Sequence, residues 1–180
     1  MHERRFHGET DRLRSPERIK LLEVDRVVSL TIENLNPKSL LDVGTGTALF
    51  AEAFAKAGLN ITGIDVSEEM IEKAKQHVPN GKFEKAVAEE LPFPGKAFDI
   101  VFLGLVFHET DEPLKALQEA RRTAKLRVSI LEWAYKEEEQ GPPLEHRLKP
   151  ETIIELVNKA GFKSFEKIDL NSLVLYRLEP

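Results

Sequence analysis

The sequence predicts an α/β fold with a doubly wound, mostly parallel sheet of seven strands. Short apolar segments of strand length alternate with segments of helical periodicity along most of the chain. The last two strand-like segments are separated only by Asn171–Ser172, so they are expected to pair as a hairpin that adds one antiparallel strand. Ligands of such sheets bind beyond the carboxyl ends of the strands, which makes the residues after each strand the first candidates for a site.

The first half of the chain contains three predicted helices and two strands. The segment 16–33 has apolar residues at helical spacing and a proline at its opening position, which suits the first turn of a helix. Gly58 ends the second helix, and Ser67 is expected to cap the third. In order, the expected elements are helix 16–33, strand 40–43, helix 47–57, strand 60–64 and a helix from Ser67 to about His77.

The second half repeats this alternation and ends in the hairpin. Asp111 is expected to cap the helix that follows the fourth strand. The longest connection, 133–150, contains Gly141–Pro142–Pro143, and long loops in compact domains are often functional. In order, the expected elements are strands 82–87 and 98–103, a helix from about 113 to 125, strand 126–132, helix 151–160 and strands 165–170 and 173–178.

Composition argues against several classes of protein. The 180 residues fit a single domain, 1–180, and the formal net charge of −5 argues against a nucleic acid partner. The absence of cysteine excludes disulfides, thiolate metal sites and cysteine nucleophiles, and no other metal-ligand spacing is visible. No stretch approaches the ~20 apolar residues that span a bilayer, and the charged N-terminus does not resemble a secretory signal. We expect a cytoplasmic protein without integral membrane association, and its oligomeric state is left open.

The residues after the first strand form a glycine turn beside an acid. Gly44 and Gly46 allow a tight turn and close contact with a ligand. The dinucleotide-binding pattern fails because position 49 is leucine, and no Gly–Lys–Ser/Thr follows as in a phosphate-binding loop. Asp42 would repel a diphosphate, so a ligand with a cationic group suits the turn better. A tight turn without a ligand is the alternative.

A second carboxylate follows the second strand. Asp65 lies 21 residues beyond Gly44 and can accept paired hydrogen bonds from a ribose diol. Alternatively, it caps the helix that begins at Ser67. Two acids and a glycine turn at adjacent strand ends describe a nucleoside that carries a cation. S-adenosylmethionine has this form, since it combines a diol, a sulfonium and an ammonium group.

Several stretches, beginning with Leu41–Thr47 and Gly63–Ser67, together resemble the motifs of class I S-adenosylmethionine-dependent methyltransferases. The later ones resemble the branch of ubiquinone/menaquinone-biosynthesis methyltransferases and their small bacterial and archaeal relatives. The resemblance covers roughly residues 38–165. The matching stretches are Leu41–Thr47, Gly63–Ser67, Glu89–Phe93, Phe98–Val101, Phe107–Glu109 and Gly141–Pro143.

The resemblance implies a Rossmann-like core, 36–180, that binds S-adenosylmethionine, and an N-terminal helical lid region, 1–35. Residues 1–20 are implied to fold over the cofactor, with Phe6 or His7 touching it. The implied cofactor-binding residues are Asp42, Gly44, Thr45, Gly46, Asp65, Val66, Met70, Ala88, Glu89 and Leu103.

Two positions depart from the family pattern. Ala48 stands where the family usually has glycine. Val87 replaces an acid that meets the adenine amino group, so adenine recognition is expected to rest on backbone groups near Ala88 and Glu89.

Methyl transfer from a sulfonium needs alignment and exclusion of water, and it needs a general base only when the acceptor must lose a proton. His108, five residues after the fourth strand, is the best candidate for a catalytic base, with a histidine satisfied by neighbouring backbone as the alternative. Trp133 could wall the acceptor site or pack in the core. Glu109 and His146 are either solvated or functional.

The expected function is S-adenosylmethionine-dependent methyl transfer to an unidentified small-molecule acceptor. One alternative is a non-catalytic regulatory module that binds the same cofactor. The other is a nucleotide-dependent oxidoreductase, against which the missing third glycine counts.

Overall fold

The computed structural model describes residues 10–180, and within them the core is one seven-stranded sheet. Its strands are β1 (Ser39–Val43), β2 (Asn60–Asp65), β3 (Lys82–Lys85), β4 (Phe98–Gly104), β5 (Ala124–Trp133), β6 (Ser164–Asp169) and β7 (Leu173–Glu179). Their order is β3-β2-β1-β4-β5-β7-β6. The first five strands run parallel, and β7 is antiparallel to both β5 and β6. The predicted fold class is therefore confirmed, including the antiparallel strand contributed by the hairpin.

Helices cover both faces of this sheet. They are α1 (Pro16–Leu21), α2 (Val24–Ile32), α3 (Leu49–Lys56), α4 (Glu68–His77), α5 (Pro113–Thr123) and α6 (Pro150–Ala160), and short 3-10 helices span Thr10–Arg14, Phe107–Glu109 and Leu144–His146. Successive strand side chains point to opposite faces. Leu40 therefore joins the hydrophobic layer under α2, α3 and α4, whereas Leu41 joins the layer under α5 and α6. This arrangement is the doubly wound one.

The predicted single helix over 16–33 is wrong, because the chain breaks between α1 and α2. Leu22 and Val24 are both buried, at 2% and 6% exposure. Two residues apart on one helix, they would point in nearly opposite directions. Glu23 resolves this conflict by adopting a left-handed conformation with φ +47°. Its carboxylate also accepts the N–H of Asn171 at 2.8 Å, which ties the break to the loop of the C-terminal hairpin.

None of the helices in the described part of the chain combines the length and apolar character needed to cross a membrane.

Candidate active site

One large cavity of about 2060 Å³ lies at the carboxyl ends of the parallel strands. Its walls come from the turn after β1, the residues after β2 and β3, the segment after β4 and the loop after β5. Arg12, Leu13 and Arg18 add a wall from the N-terminal segment. Because ligand pockets commonly measure about 300–1,000 Å³, this cavity has room for a cofactor and a second molecule.

The two glycines of the turn after β1 have different surroundings. Gly44 and Gly46 both have left-handed backbone, with φ of +69° and +53°. A Cβ atom on Gly44 would lie 2.3 Å from the side chain of Val106, whereas one on Gly46 would meet nothing within 4 Å. The close approach at Gly44 is therefore made to another part of the chain, and Gly46 is the glycine that borders open space.

The next residue with left-handed backbone in this region is Ala48, with φ +61°. An L-residue with a side chain pays roughly 1–2 kcal/mol in this conformation. The departure from the family's glycine thus places mild strain at the N-cap of α3.

Asp42 is a buried acid at the end of β1. It is 3% exposed and accepts a hydrogen bond from the Thr45 hydroxyl at 2.7 Å. Burial raises the pKa of Asp42 from 3.8 to about 7; the Thr45 hydrogen bond opposes this rise, and the charge of Asp65 adds to it. A cationic group in the cavity would stabilise the ionised carboxylate.

Asp65 connects the two loops that follow β1 and β2. Its Oδ2 accepts the N–H of Gly46 and its Oδ1 accepts the N–H of Ser67, each at 2.9 Å. The contact to Ser67 is the local role that the sequence left open. Because a carboxylate accepts about four hydrogen bonds, these contacts are compatible with a diol at the same group, and diol binding stays a prediction.

Apolar side chains line the cavity beyond Asp65. Val66 and Val87 are 40% and 41% exposed, and Met70 of α4 lines the same cavity. Exposed apolar surface inside a concave site suits a flat apolar ring. The valine that replaces the family's acid therefore contributes to a surface of the kind that an adenine ring contacts.

Glu89 makes a structural contact that the sequence did not indicate. Its carboxylate accepts the N–H groups of Asp111 and Glu112, at 2.9 and 3.3 Å, just before α5. The predicted capping by Asp111 is wrong, since Glu112 is the N-cap residue and makes no side-chain capping bond. Glu89 thus holds the segment just before α5, and both Ala88 and Glu89, in the loop after β3, line the cavity.

His108 and Glu132 form a buried pair beside the cavity. The 3-10 helix after β4 carries His108, which is 6% exposed, and Glu132, at the end of β5, is 1% exposed. The His108 Nδ1 lies 3.0 and 2.9 Å from the two carboxylate oxygens of Glu132. The backbone N–H of His108 also donates to Glu132, at 3.0 Å, and that of Trp133 does so at 3.3 Å. His108 lines the cavity.

Sequence reasoning did not identify Glu132 as a site residue. Its position in the sequence was an available signal, since Glu132 is a carboxylate near the carboxyl end of an apolar strand. The carboxyl ends of parallel strands lie at one edge of the sheet, so Glu132 is expected near the residues after β4. Leu131 pairs with Gly104 in the β4–β5 register, which brings Glu132 next to the segment that carries His108.

Arg147 organises the long loop after β5. Its side chain is only 1% exposed. The guanidinium lies 5.5 Å from the ring centroid of Trp133, which is itself 4% exposed and lines the cavity. Trp133 is therefore both a packed residue and part of the wall. The guanidinium donates to the backbone carbonyls of Ala134, Lys136, Gln140 and Pro142 at 2.6–2.9 Å.

Most of the predicted site residues do meet at this cavity. Leu103 is the exception, because it is fully buried between β1 and β5 in the sheet, and Gly104 and Leu105 line the cavity instead. Phe6 and His7 lie outside the described residues. The predicted residues that line the cavity are Asp42, Gly44, Thr45, Gly46, Asp65, Val66, Met70, Ala88, Glu89 and His108, and Glu109 and His146 line it too.

Known proteins share both this sequence pattern and this fold. A family profile described as a methyltransferase domain matches residues 41–128. A demethylmenaquinone methyltransferase of Thermotoga maritima is 36% identical over 111 residues, which are 59% of this chain and 48% of that protein. A ubiquinone/menaquinone biosynthesis C-methyltransferase of Rickettsia bellii is 36% identical over 106 residues, which are 52% of this chain and 42% of that protein. The chain thus spans about half the length of these relatives.

A solved structure extends the similarity to nearly the whole chain. The SAM-dependent methyltransferase from Aquifex aeolicus superposes with a TM-score of 0.82 at 26% identity, covering 94% of this chain and 95% of that one. The predicted family and its cofactor, S-adenosylmethionine, are confirmed by these matches. In its fold and in the sequence of residues 41–128, the chain is similar to the class I S-adenosylmethionine-dependent methyltransferases.

Proposed function

We propose that this chain transfers a methyl group from S-adenosylmethionine to a small-molecule acceptor bound in the same cavity. The observation that carries the proposal is the meeting of Asp42, Asp65 and the open glycine turn at one cavity edge. Two carboxylates and exposed backbone at adjacent strand ends suit a ligand that combines a diol with positive charge.

The residues present fit each part of the cofactor. Asp65 would hold the ribose diol, and Val66, Met70 and Val87 would contact the adenine ring. The backbone around Gly46 and the carboxylate of Asp42 would hold the methionine portion. When bound, S-adenosylmethionine supplies an electrophilic methyl group on a positively charged sulfur.

The charges around the cavity also limit what the acceptor can be. Among the described residues of the wall, acidic side chains outnumber arginines, so an anionic acceptor would be repelled. We therefore propose an acceptor without carboxylate or phosphate groups, with Trp133 as an apolar wall for it. The acidic residues are Glu17, Asp42, Asp65, Glu69, Glu89, Glu109, Asp111, Glu112 and Glu139, and the arginines are Arg12 and Arg18.

The chain's own residues would align the reactants and exclude water. Alignment of two bound molecules is worth several kcal/mol of the barrier, and the loop ordered by Arg147 supplies a rigid side to the cavity. The relatives named above act in quinone biosynthesis by their names, and a ring-containing acceptor is one candidate class here. Action in the cytoplasm, without nucleic acid, stays a prediction.

Binding and transfer measurements test this function. Calorimetry should show binding of S-adenosylhomocysteine and no binding of NADH. Incubation with methyl-labelled donor and fractionated metabolite pools should transfer label to a small molecule. Binding of NADH instead would favour the oxidoreductase, and donor binding without transfer to any pool would favour the regulatory module.

A further inference from the structure

The hydrogen bonds around Glu132 define the protonation of the His108 ring. Two backbone N–H groups, those of His108 and Trp133, donate hydrogen bonds to this carboxylate, and an N–H group can act only as a donor. An ionised carboxylate can only accept hydrogen bonds, so with Glu132 ionised the Nδ1 atom that contacts both of its oxygens carries a proton. In the neutral ring the other nitrogen, Nε2, is then the one that accepts a proton.

We propose that Glu132 is a positioning residue that holds His108 in this tautomer, so that Nε2 removes a proton from the methyl acceptor. This inference rests on the proposed function. It assigns an acceptor class: a molecule methylated on an oxygen or nitrogen atom that carries a proton, such as a phenol, another hydroxyl or an amine.

The position of the pair supports this role. His108 lines the cavity, whereas Glu132 is not among its lining residues. Because the two ring nitrogens lie on different edges of the imidazole, the contact of Nδ1 with Glu132 turns Nε2 away from that carboxylate. Glu132 therefore acts through His108 and does not itself touch the acceptor.

The step balances with the groups named. The acceptor's oxygen or nitrogen forms a bond to the methyl carbon as the methyl–sulfur bond breaks, with its electron pair left on sulfur. The proton of the acceptor passes to Nε2, and the Glu132 carboxylate stabilises the resulting imidazolium. The proton then leaves to solvent, which restores the neutral ring.

Nitrogen-15 NMR of histidine-labelled protein, bound to S-adenosylhomocysteine, tests the assignment directly. We expect the His108 signals of a neutral ring with a protonated Nδ1 and an unprotonated Nε2. Glu132→Gln should change this, because a glutamine amide can donate to Nδ1 and so permits the opposite tautomer. A protonated Nε2 in the neutral ring of the wild-type protein would overturn the inference.

Glu109→Gln is the matched control. The Glu109 carboxylate lies 3.8 Å from Nε2, beyond hydrogen-bond distance, and does not hold Nδ1. The same change of charge at this position should leave the tautomer as in the wild type. If both variants change it alike, general electrostatics rather than the Glu132 contact sets the ring, and the positioning role is refuted.

Turnover separates this inference from the proposed function. Failure of the wild-type protein to bind S-adenosylhomocysteine would refute the function itself. For an acceptor found in the pools, we expect the methyl group on oxygen or nitrogen and a loss of kcat of ~10²–10⁴ in Glu132→Gln, with the donor affinity unchanged. Methylation of carbon, or a kcat in that variant within about threefold of wild type, would refute the inference alone.

Discussion

Replacement of the buried acid Asp42 by asparagine should remove a pH-dependent destabilisation of the free protein. The side chain is 3% exposed, and the pKa of Asp42 is about 7, against 3.8 for an ordinary aspartate. This difference corresponds to roughly 4 kcal/mol of preference for the neutral form in the folded state. Asparagine keeps the shape and can still accept the hydrogen bond from Thr45.

The sign follows from the raised pKa. Between about pH 4 and pH 7 the folded protein keeps a proton on Asp42 that the unfolded chain releases, so this group's contribution to stability falls as the pH rises. It levels off above the folded-state pKa, where both states are ionised. Between about pH 5 and pH 8, the wild-type protein should therefore lose roughly 2–3 kcal/mol relative to Asp42→Asn.

Urea unfolding of both proteins at these two pH values measures this difference. Asp99→Asn is the matched control, because the backbone N–H groups of Lys38 and Ser39 lower the pKa of Asp99 against the effect of its partial burial. Its contribution is lost only when the pH falls through that lowered pKa, so this variant should keep the wild-type difference between pH 5 and pH 8. Equal pH dependence in wild type and Asp42→Asn would refute the reasoning.

Three further substitutions test the site. Asp65→Ala should weaken S-adenosylmethionine binding by about 10- to 150-fold in calorimetry, through loss of a charged hydrogen-bond acceptor worth roughly 1.5–3 kcal/mol; unchanged affinity in a folded variant would exclude the diol contact. Gly44→Val should abolish donor binding, because its Cβ would collide with Val106 at 2.3 Å and displace the turn; normal binding would make the turn purely structural. Arg147→Met should cost about 2–5 kcal/mol in unfolding free energy and speed hydrogen exchange in the loop 134–147, with donor affinity retained; slow exchange there would show that the loop is held by other contacts.

Local patterns in the sequence were sufficient to predict the fold and most of the residues that line the cavity beside β1 and β2. The alternation of strand and helix periodicity predicted the doubly wound sheet, and the sheet order then placed Asp42 and Asp65 at adjacent strand ends. The glycine turn needs only neighbouring residues to define it, since Gly44 and Gly46 adopt left-handed backbone that other residues avoid. Turn chemistry and periodicity are properties of short segments, so they can be recognised without the rest of the molecule.

Tertiary structure alone decided the contacts between segments that are distant in sequence. His108 and Glu132 meet because β4 and β5 pair in a particular register, and no local sequence pattern specifies that register. Leu103 turned out to face the core because the pleat alternates sides from one residue to the next, so an error of a single position moves a side chain out of the cavity. The contact of Glu89 with the two N–H groups before α5 likewise joins loops that follow two different strands. The sequence by itself determined which local structures form and which strands end in an acid, whereas the packing of the strands determined which of their ends face one another.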